Sequence, residues 1–236
     1  MKKILLAIVF AAFTAVSAAA IEEIPEVEIF GGYSLMKMNV SNNDIRYFQE
    51  GVYEWNGTWK NSDTSFFLNQ GVAGSVAYNF NEYFSIVTDG KYRQGDLIKG
   101  IFEFECELPE LPGIMIPVQA PFTIDMKNVS ALAGPRFSYR NLLNERANVF
   151  VHALAGLDYW RLNCDFTVAG EKQSSTGNKF SPGVAIGGGI DINLNEKIAV
   201  RAIQADYYMT RQLDRRMSNV NLSFGIVFRI GEKILK

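Results

Sequence analysis

The chain has 236 residues and a formal charge of −2, from 23 Lys and Arg against 25 Asp and Glu, so it offers no basic surface of the kind nucleic acid requires. Its hydropathy is close to neutral, and after residue 20 no stretch supplies the ~20 continuous apolar residues of a spanning helix. No metal cluster, phosphate-binding glycine loop or carboxylate pair stands out, so neither a cofactor nor a metal is expected.

Residues 1–20 open with Lys2 and Lys3, run through an apolar stretch at 4–16 and end in small residues at 17–20. That order is a secretory signal peptide, and its apolar stretch is too short to span a bilayer. Cleavage after Ala18 or Ala20 fits equally well. Without the two lysines the basic count is 21 against 25 acids, a mature charge of −4. No cysteine follows the leader to carry a lipid anchor. Residues 21–236 then form a single domain, with no repeat and no linker.

Strands are expected at 27–40, 66–80, 84–95, 124–139, 148–160, 179–194, 198–210 and 219–230. The second shows the pattern well: Phe66, Leu68, Val72, Val76, Tyr78 and Phe80 share one face, while Asn69, Gly71, Ala73, Ser75, Ala77 and Asn79 share the other. A period of two sends successive side chains to opposite faces of a sheet. A soluble sandwich would show it too. The small-residue face separates the two readings: in the sixth strand Ser181, Gly183, Ala185, Gly187 and Gly189 oppose Phe180, Val184, Ile186, Ile190 and Ile192. Small side chains suit the lumen of a narrow barrel, whereas a solvated sandwich face would carry Lys, Glu and Thr. Val129, Ala131, Ala133, Phe137 and Tyr139 face outward in the fourth strand, as do Val220, Leu222, Phe224, Ile226, Phe228 and Ile230 in the eighth.

The connections alternate. Links at 81–83, 140–147 and 195–197 are short, those at 41–65, 96–123 and 161–178 are long, and 211–218 is intermediate. Short periplasmic turns and longer outer loops characterise outer-membrane barrels, which can span lipid because every backbone group is paired. The expected fold is therefore all-β, an eight-stranded antiparallel up-and-down transmembrane barrel with long extracellular loops, both termini lying in the periplasm of a Gram-negative envelope. Phe80, Phe84, Phe137, Tyr139 and Phe228 mark one aromatic girdle, and Tyr92, Tyr159, Trp160, Tyr207 and Tyr208 the other. Alternation continues through Phe102, Phe104, Cys106 and Leu108, and through Leu162, Cys164, Phe166 and Val168. Hairpins rising beyond the membrane are expected there, turning near 109–113 and 170–177. Pro117 and Pro121 are expected to break the first return strand, since proline cannot donate to a ladder.

These residues resemble the OmpA-like outer-membrane barrel family in its stand-alone eight-stranded form. The resemblance is carried by Phe30-Gly31-Gly32-Tyr33, Leu132-Ala133-Gly134-Pro135-Arg136, Gly187-Gly188-Gly189-Ile190-Asp191, Arg201-Ala202-Ile203-Gln204-Ala205-Asp206-Tyr207 and Gly225-Ile226-Val227-Phe228-Arg229. It implies a monomer among outer-membrane lipids and lipopolysaccharide, inserted by the barrel assembly machinery through a C-terminal strand. Residues 231–236 extend past the usual end of that strand, and the peptidoglycan-binding domain of some relatives is absent.

The alternation places Asp89, Lys91, Arg93, Arg136, Asp191, Gln204, Asp206 and Arg229 inside as a lumen polar network. An interior of eight strands is just wide enough for side chains to fill. Gly187-Gly188-Gly189 reads as close packing rather than a nucleotide cradle. His152, the one histidine, reads as lumen filling near the periplasmic end, away from the outer leaflet where a lipid A hydrolase would need its base. No catalytic residue is therefore assigned. Cys106 and Cys164 both fall in outer segments, where a disulfide or two free thiols are open alternatives. Tyr47, Phe48, Tyr53, Trp55 and Trp59 in the first outer loop form a contact surface or pack on one another. The expected role is structural or interactive, through adhesion or envelope integrity. The alternatives are a narrow pore for ions or small solutes and, third, a lipid-modifying enzyme.

Overall fold

The computed structural model describes residues 23–38, 57–60, 68–107, 115–142, 146–168, 171–212 and 215–234. Nine strands account for nearly all of them: β1 (Glu23–Lys37), β2 (Gly57–Lys60), β3 (Leu68–Asn79), β4 (Phe84–Glu107), β5 (Met115–Leu142), β6 (Ala147–Val168), β7 (Glu171–Asn193), β8 (Ile198–Gln212) and β9 (Arg215–Ile234). Hydrogen-bonded neighbours run β4-β3-β1-β9-β8-β7-β6-β5, and β5 pairs again with β4. All eight of these pairings are antiparallel, which closes a ring and leaves no edge within it. The short β2 lies outside the ring, pairing Trp59 with Phe102 on the outer part of β4. Among the described residues no helix is long and apolar enough to cross a membrane.

Two short turns use the same chemistry. The segments Asn79-Phe80-Asn81-Glu82 and Asn193-Leu194-Asn195-Glu196 match in sequence at the asparagines and glutamate. Asn81 Oδ1 accepts the backbone N–H of Tyr83 (2.9 Å) and Phe84 (2.7 Å), and Asn195 Oδ1 accepts those of Lys197 (2.9 Å) and Ile198 (2.8 Å). An asparagine bonding the backbone two residues on mimics a turn and holds the hairpin tight.

Alternation sorts the side chains as the sequence suggests. Val72, Val76, Tyr78, Ile86, Ile186, Ile190, Phe224, Ile226 and Phe228 are exposed on the outer wall, while Asn69, Ala73, Ser75, Ala77 and Asn79 are buried. Phe80 stacks on Phe84 (5.7 Å) and Tyr83 on Phe137 (5.8 Å) at the short-turn end, and Tyr159 packs on Phe180 (4.7 Å) towards the other. Phe84 and Tyr92 are eight residues apart on β4, about 26 Å of strand. At a tilt of about 40° that covers about 20 Å, most of an apolar band about 25 Å tall. Trp160 and Tyr208, however, point into the lumen and are buried (each 2% exposed). The pairs Tyr159-Trp160 and Tyr207-Tyr208 are adjacent, so a strand can aim only one of each outward.

The outer segments differ more from expectation. β4 through β7 have 22 to 28 residues each, against about 10 for a crossing, and continue as a sheet beyond the band. The expected long links at 96–123 and 161–178 are largely these extensions. Pro117 and Pro121 do not break β5, but lie opposite Glu105 and Ile101. β6 joins β5 only from Phe122 onward, so, among the described residues, 115–121 have a partner on one side alone. Two prolines four residues apart turn their nitrogens to the same side, and the unpaired edge needs no donor. The third outer turn is also tighter than expected: Val168 pairs with Glu171, and Gly177 lies mid-strand opposite Leu162. The leader, the 109–113 turn and Tyr47, Phe48, Tyr53 and Trp55 lie outside the described residues.

Cys164 carries a free thiol. Cys106 lies opposite Ile116 and Cys164 opposite Ile124 on the strand between them. That offset is about 26 Å along β5, whereas a disulfide needs Cα atoms within about 7 Å.

Candidate functional site

The lumen is packed in tiers. At the short-turn end Glu28, from β1, is surrounded by three guanidiniums from two other strands, Arg136 and Arg140 of β5 and Arg229 of β9. Arg136 donates to Glu28, to Asn79 (3.2 Å) and to Ser85 (2.9 Å). Arg140 donates to Glu28 at 2.6 Å, and Arg229 Nε stands 3.7 Å from the same carboxylate while its Nη2 donates to Asn193 (2.7 Å).

The middle tier centres on Asp206. Its carboxylate meets Lys91 (3.0 Å), His152 Nε2 (2.9 Å), Gln204 Nε2 (3.0 Å) and Asn221 Nδ2 (3.1 Å), and the Lys91 ammonium also reaches Asp89 (2.8 Å). Beside it Arg201 forms a fork with Asp191 (2.8 and 3.1 Å) and donates to Gln204 Oε1 (2.8 Å). The Arg201 guanidinium lies between the rings of Phe30 (4.4 Å) and Phe150 (4.5 Å), where both negative ring faces attract it. Gly189 makes this possible, because a Cβ there would stand 2.7 Å from the Phe150 ring.

Towards the outer end Arg93 donates to Ser34 (3.0 Å) and Asn128 (2.6 Å), and Asn128 and Trp160 both donate to Asp158. Above this, Met36, Met38, Phe122, Ile124, Met126, Trp160, Tyr208 and Met217 form one apolar cluster, with Leu162, Cys164 and Phe166 packed against it. Charged groups in this interior are therefore paired below and covered by apolar side chains above. Outside the band, burial pushes the Cys164 thiol above its ordinary value.

The eight network residues expected inside are all in this interior, where Lys91, Asp89 and Asp206 meet directly and Asp191 and Arg229 serve different tiers. Four further charged residues take part, Glu28, Arg140, Asp158 and Arg201, together with His152. Alternation would have marked Glu28, between Val27 and Ile29, and Asp158, between Leu157 and Tyr159. Arg140 fell in an expected turn because β5 runs on to Leu142. Arg201 was hidden by a bulge: the register shifts between Arg201 and Gln204, so Ala202 and Ile203 both face outward and both polar neighbours point in. Of the first-loop aromatics only Trp59 has a described backbone, in β2. Among the described residues no group of His, Cys, Asp and Glu could hold a metal ion.

The chain matches the model of a family described as the outer membrane protein beta-barrel domain over residues 6–229. No curated protein matches it. Among solved structures it is similar to Ail, the attachment invasion locus protein of Yersinia pestis, at 17% identity over 86% of this chain and 99% of that one, with a TM-score of 0.45. Neisserial surface protein A is similar at 10% identity over 88% of this chain and 99% of the other, TM-score 0.42. OprG of Pseudomonas aeruginosa is similar at 8% identity over 91% and 98%, TM-score 0.42. With the family model spanning nearly the whole sequence and the strands closing as eight, the chain belongs to the outer membrane protein beta-barrel domain family.

Proposed function

We propose that this outer-membrane protein acts as a surface-interaction barrel, presenting its raised sheet to partners outside the cell while its lumen stays closed and performs no catalysis. One observation carries the reading. The outer part of β7, residues 171–180, is exposed on both faces, and β8 pairs with β7 only from Gly183 inward. Among the described residues no strand takes the other edge of β7 there. Native sheets blunt such edges with proline, bulges or a covering element, because an open row of N–H and C=O groups recruits another strand. An edge kept open over ten residues supports strand addition by a partner, in which backbone bonds supply affinity. The tiered ion pairs support a filled lumen, and the burial of His152 against Asp206 supports filling rather than base catalysis.

In this reading the short turns and both termini face the periplasm. Lipids and lipopolysaccharide surround the apolar band, and the assembly machinery inserts the chain as a monomer after loss of its leader. The test compares cells displaying the protein with cells displaying Ser175→Pro or Thr176→Pro for adherence to an epithelial monolayer, with ion conductance of the purified protein measured in planar bilayers. Loss of adherence by the proline variants with the barrel still assembled, and electrical silence, are expected. Equal adherence of all forms and of empty cells would sink the interaction role. Discrete conductance would replace the closed lumen with a narrow pore.

A further inference from the structure

At the short-turn mouth of the barrel three buried guanidiniums share one buried carboxylate. Arg136, Arg140 and Arg229 converge on one carboxylate, Glu28. Asp191, a buried acid nearby, is already engaged in the fork with Arg201. Arg140 and Arg229 side chains are each only 8% exposed, and among the described residues the Nε of each has no hydrogen-bond partner. A buried donor left unbonded is destabilising, and more so when it is charged. Both arginines line a cavity of about 360 Å³ open at this mouth, together with Asn193, Asn195 and Lys197. The acids on its wall, Glu196 and Glu232, are exposed, and Glu26 holds the outward Tyr78 hydroxyl (3.2 Å).

We infer that this cavity is a binding site for one oxyanion, a phosphate or carboxylate, held between Arg140 and Arg229 with Lys197 at the rim. The planar guanidinium fork matches such groups in geometry as well as charge. At ~30 Å³ per water the cavity takes about a dozen waters, so an oxyanion enters with part of its hydration. The inference rests on charge and geometry at this mouth and is independent of what the outer sheet binds.

The test follows the urea unfolding midpoint of the mature protein in phosphatidylcholine nanodiscs as inorganic phosphate or acetate is added, against chloride at equal ionic strength. A saturable rise with an oxyanion and none with chloride is expected. Arg140→Gln and Arg229→Gln should each weaken the apparent affinity at least tenfold. Should those variants fail to fold, Lys197→Glu, on the exposed rim, should weaken it several-fold with the fold retained. Nanodiscs containing phosphatidylglycerol, without added anion, separate the sources. Stabilisation there assigns a lipid headgroup, and stabilisation only by the free ions assigns a soluble anion. No saturable effect from any of these would mean that the rim carboxylates already satisfy the guanidiniums, and would overturn the site. An effect unchanged in all three variants would overturn it too.

Discussion

Replacing Asp206 by alanine removes the acceptor at the centre of the lumen. Four donors lose it at once: Lys91, His152, Gln204 and Asn221, all within 3.1 Å. Removing one partner of a buried ion pair costs about 3–5 kcal/mol, because the remaining charge cannot return to water. Here the loss should fall near the lower end, since Lys91 keeps Asp89 at 2.8 Å and the Asn221 Nδ2 donor keeps Ser223 Oγ at 3.3 Å. With a urea slope of about 1–3 kcal/mol per molar, the midpoint should drop by roughly 1–3 M. Reversible urea titration in lipid vesicles reads this, by tryptophan fluorescence and by the heat-modifiable band on a gel. Adding Lys91→Met and Asp89→Leu to Asp206→Leu should recover most of the loss, because replacing all three members of the Asp89–Lys91–Asp206 set by apolar side chains leaves none of their charges unpaired. A single variant within about 0.5 kcal/mol of the parent, or two variants whose effects simply add, would refute the coupled network.

Three further outcomes test other parts of the fold. Gly225→Ala should impair closure of the β1–β9 seam by about 1–3 kcal/mol, because a Cβ there would stand 2.3 Å from the Gly31 carbonyl oxygen, whereas Gly31→Ala meets nothing within 4 Å; equal folding yields for the two would contradict the seam geometry. Outside the band, hydrogen bonds from Ser174 and then Lys172 hold the Asp165 carboxyl below its ordinary range. A depressed carboxylate stabilises above its unfolded pKa, about 3.9, and loses that contribution as pH falls through the lower folded value. Amide exchange at 171–176 should therefore lose protection in that acid window in the parent and show no such step in Asp165→Asn. Cys164 should alkylate slowly at neutral pH, and thiol titration of the unfolded chain should count both cysteines free; a mobility change on reduction would contradict the register of β4, β5 and β6.

What the sequence determined by itself was local. Side-chain direction reverses with every residue of a strand, so the apolar and small faces, the two asparagine turns and most of the lumen network could be read from the order of residues. Those properties need no knowledge of a neighbour. Tertiary structure decided everything that depends on which strand lies alongside. A bulge in β8 turned Arg201 inward against its phase, and an unpaired edge let β5 run through Pro117 and Pro121. Register kept Cys106 and Cys164 apart on either side of β5. Closure of the ring brought Glu28 from the first strand to three arginines that lie more than a hundred residues away in sequence. The physical reason is that backbone alternation is set within a strand, whereas pairing register, edge exposure and contacts across a lumen are set only when the ring closes.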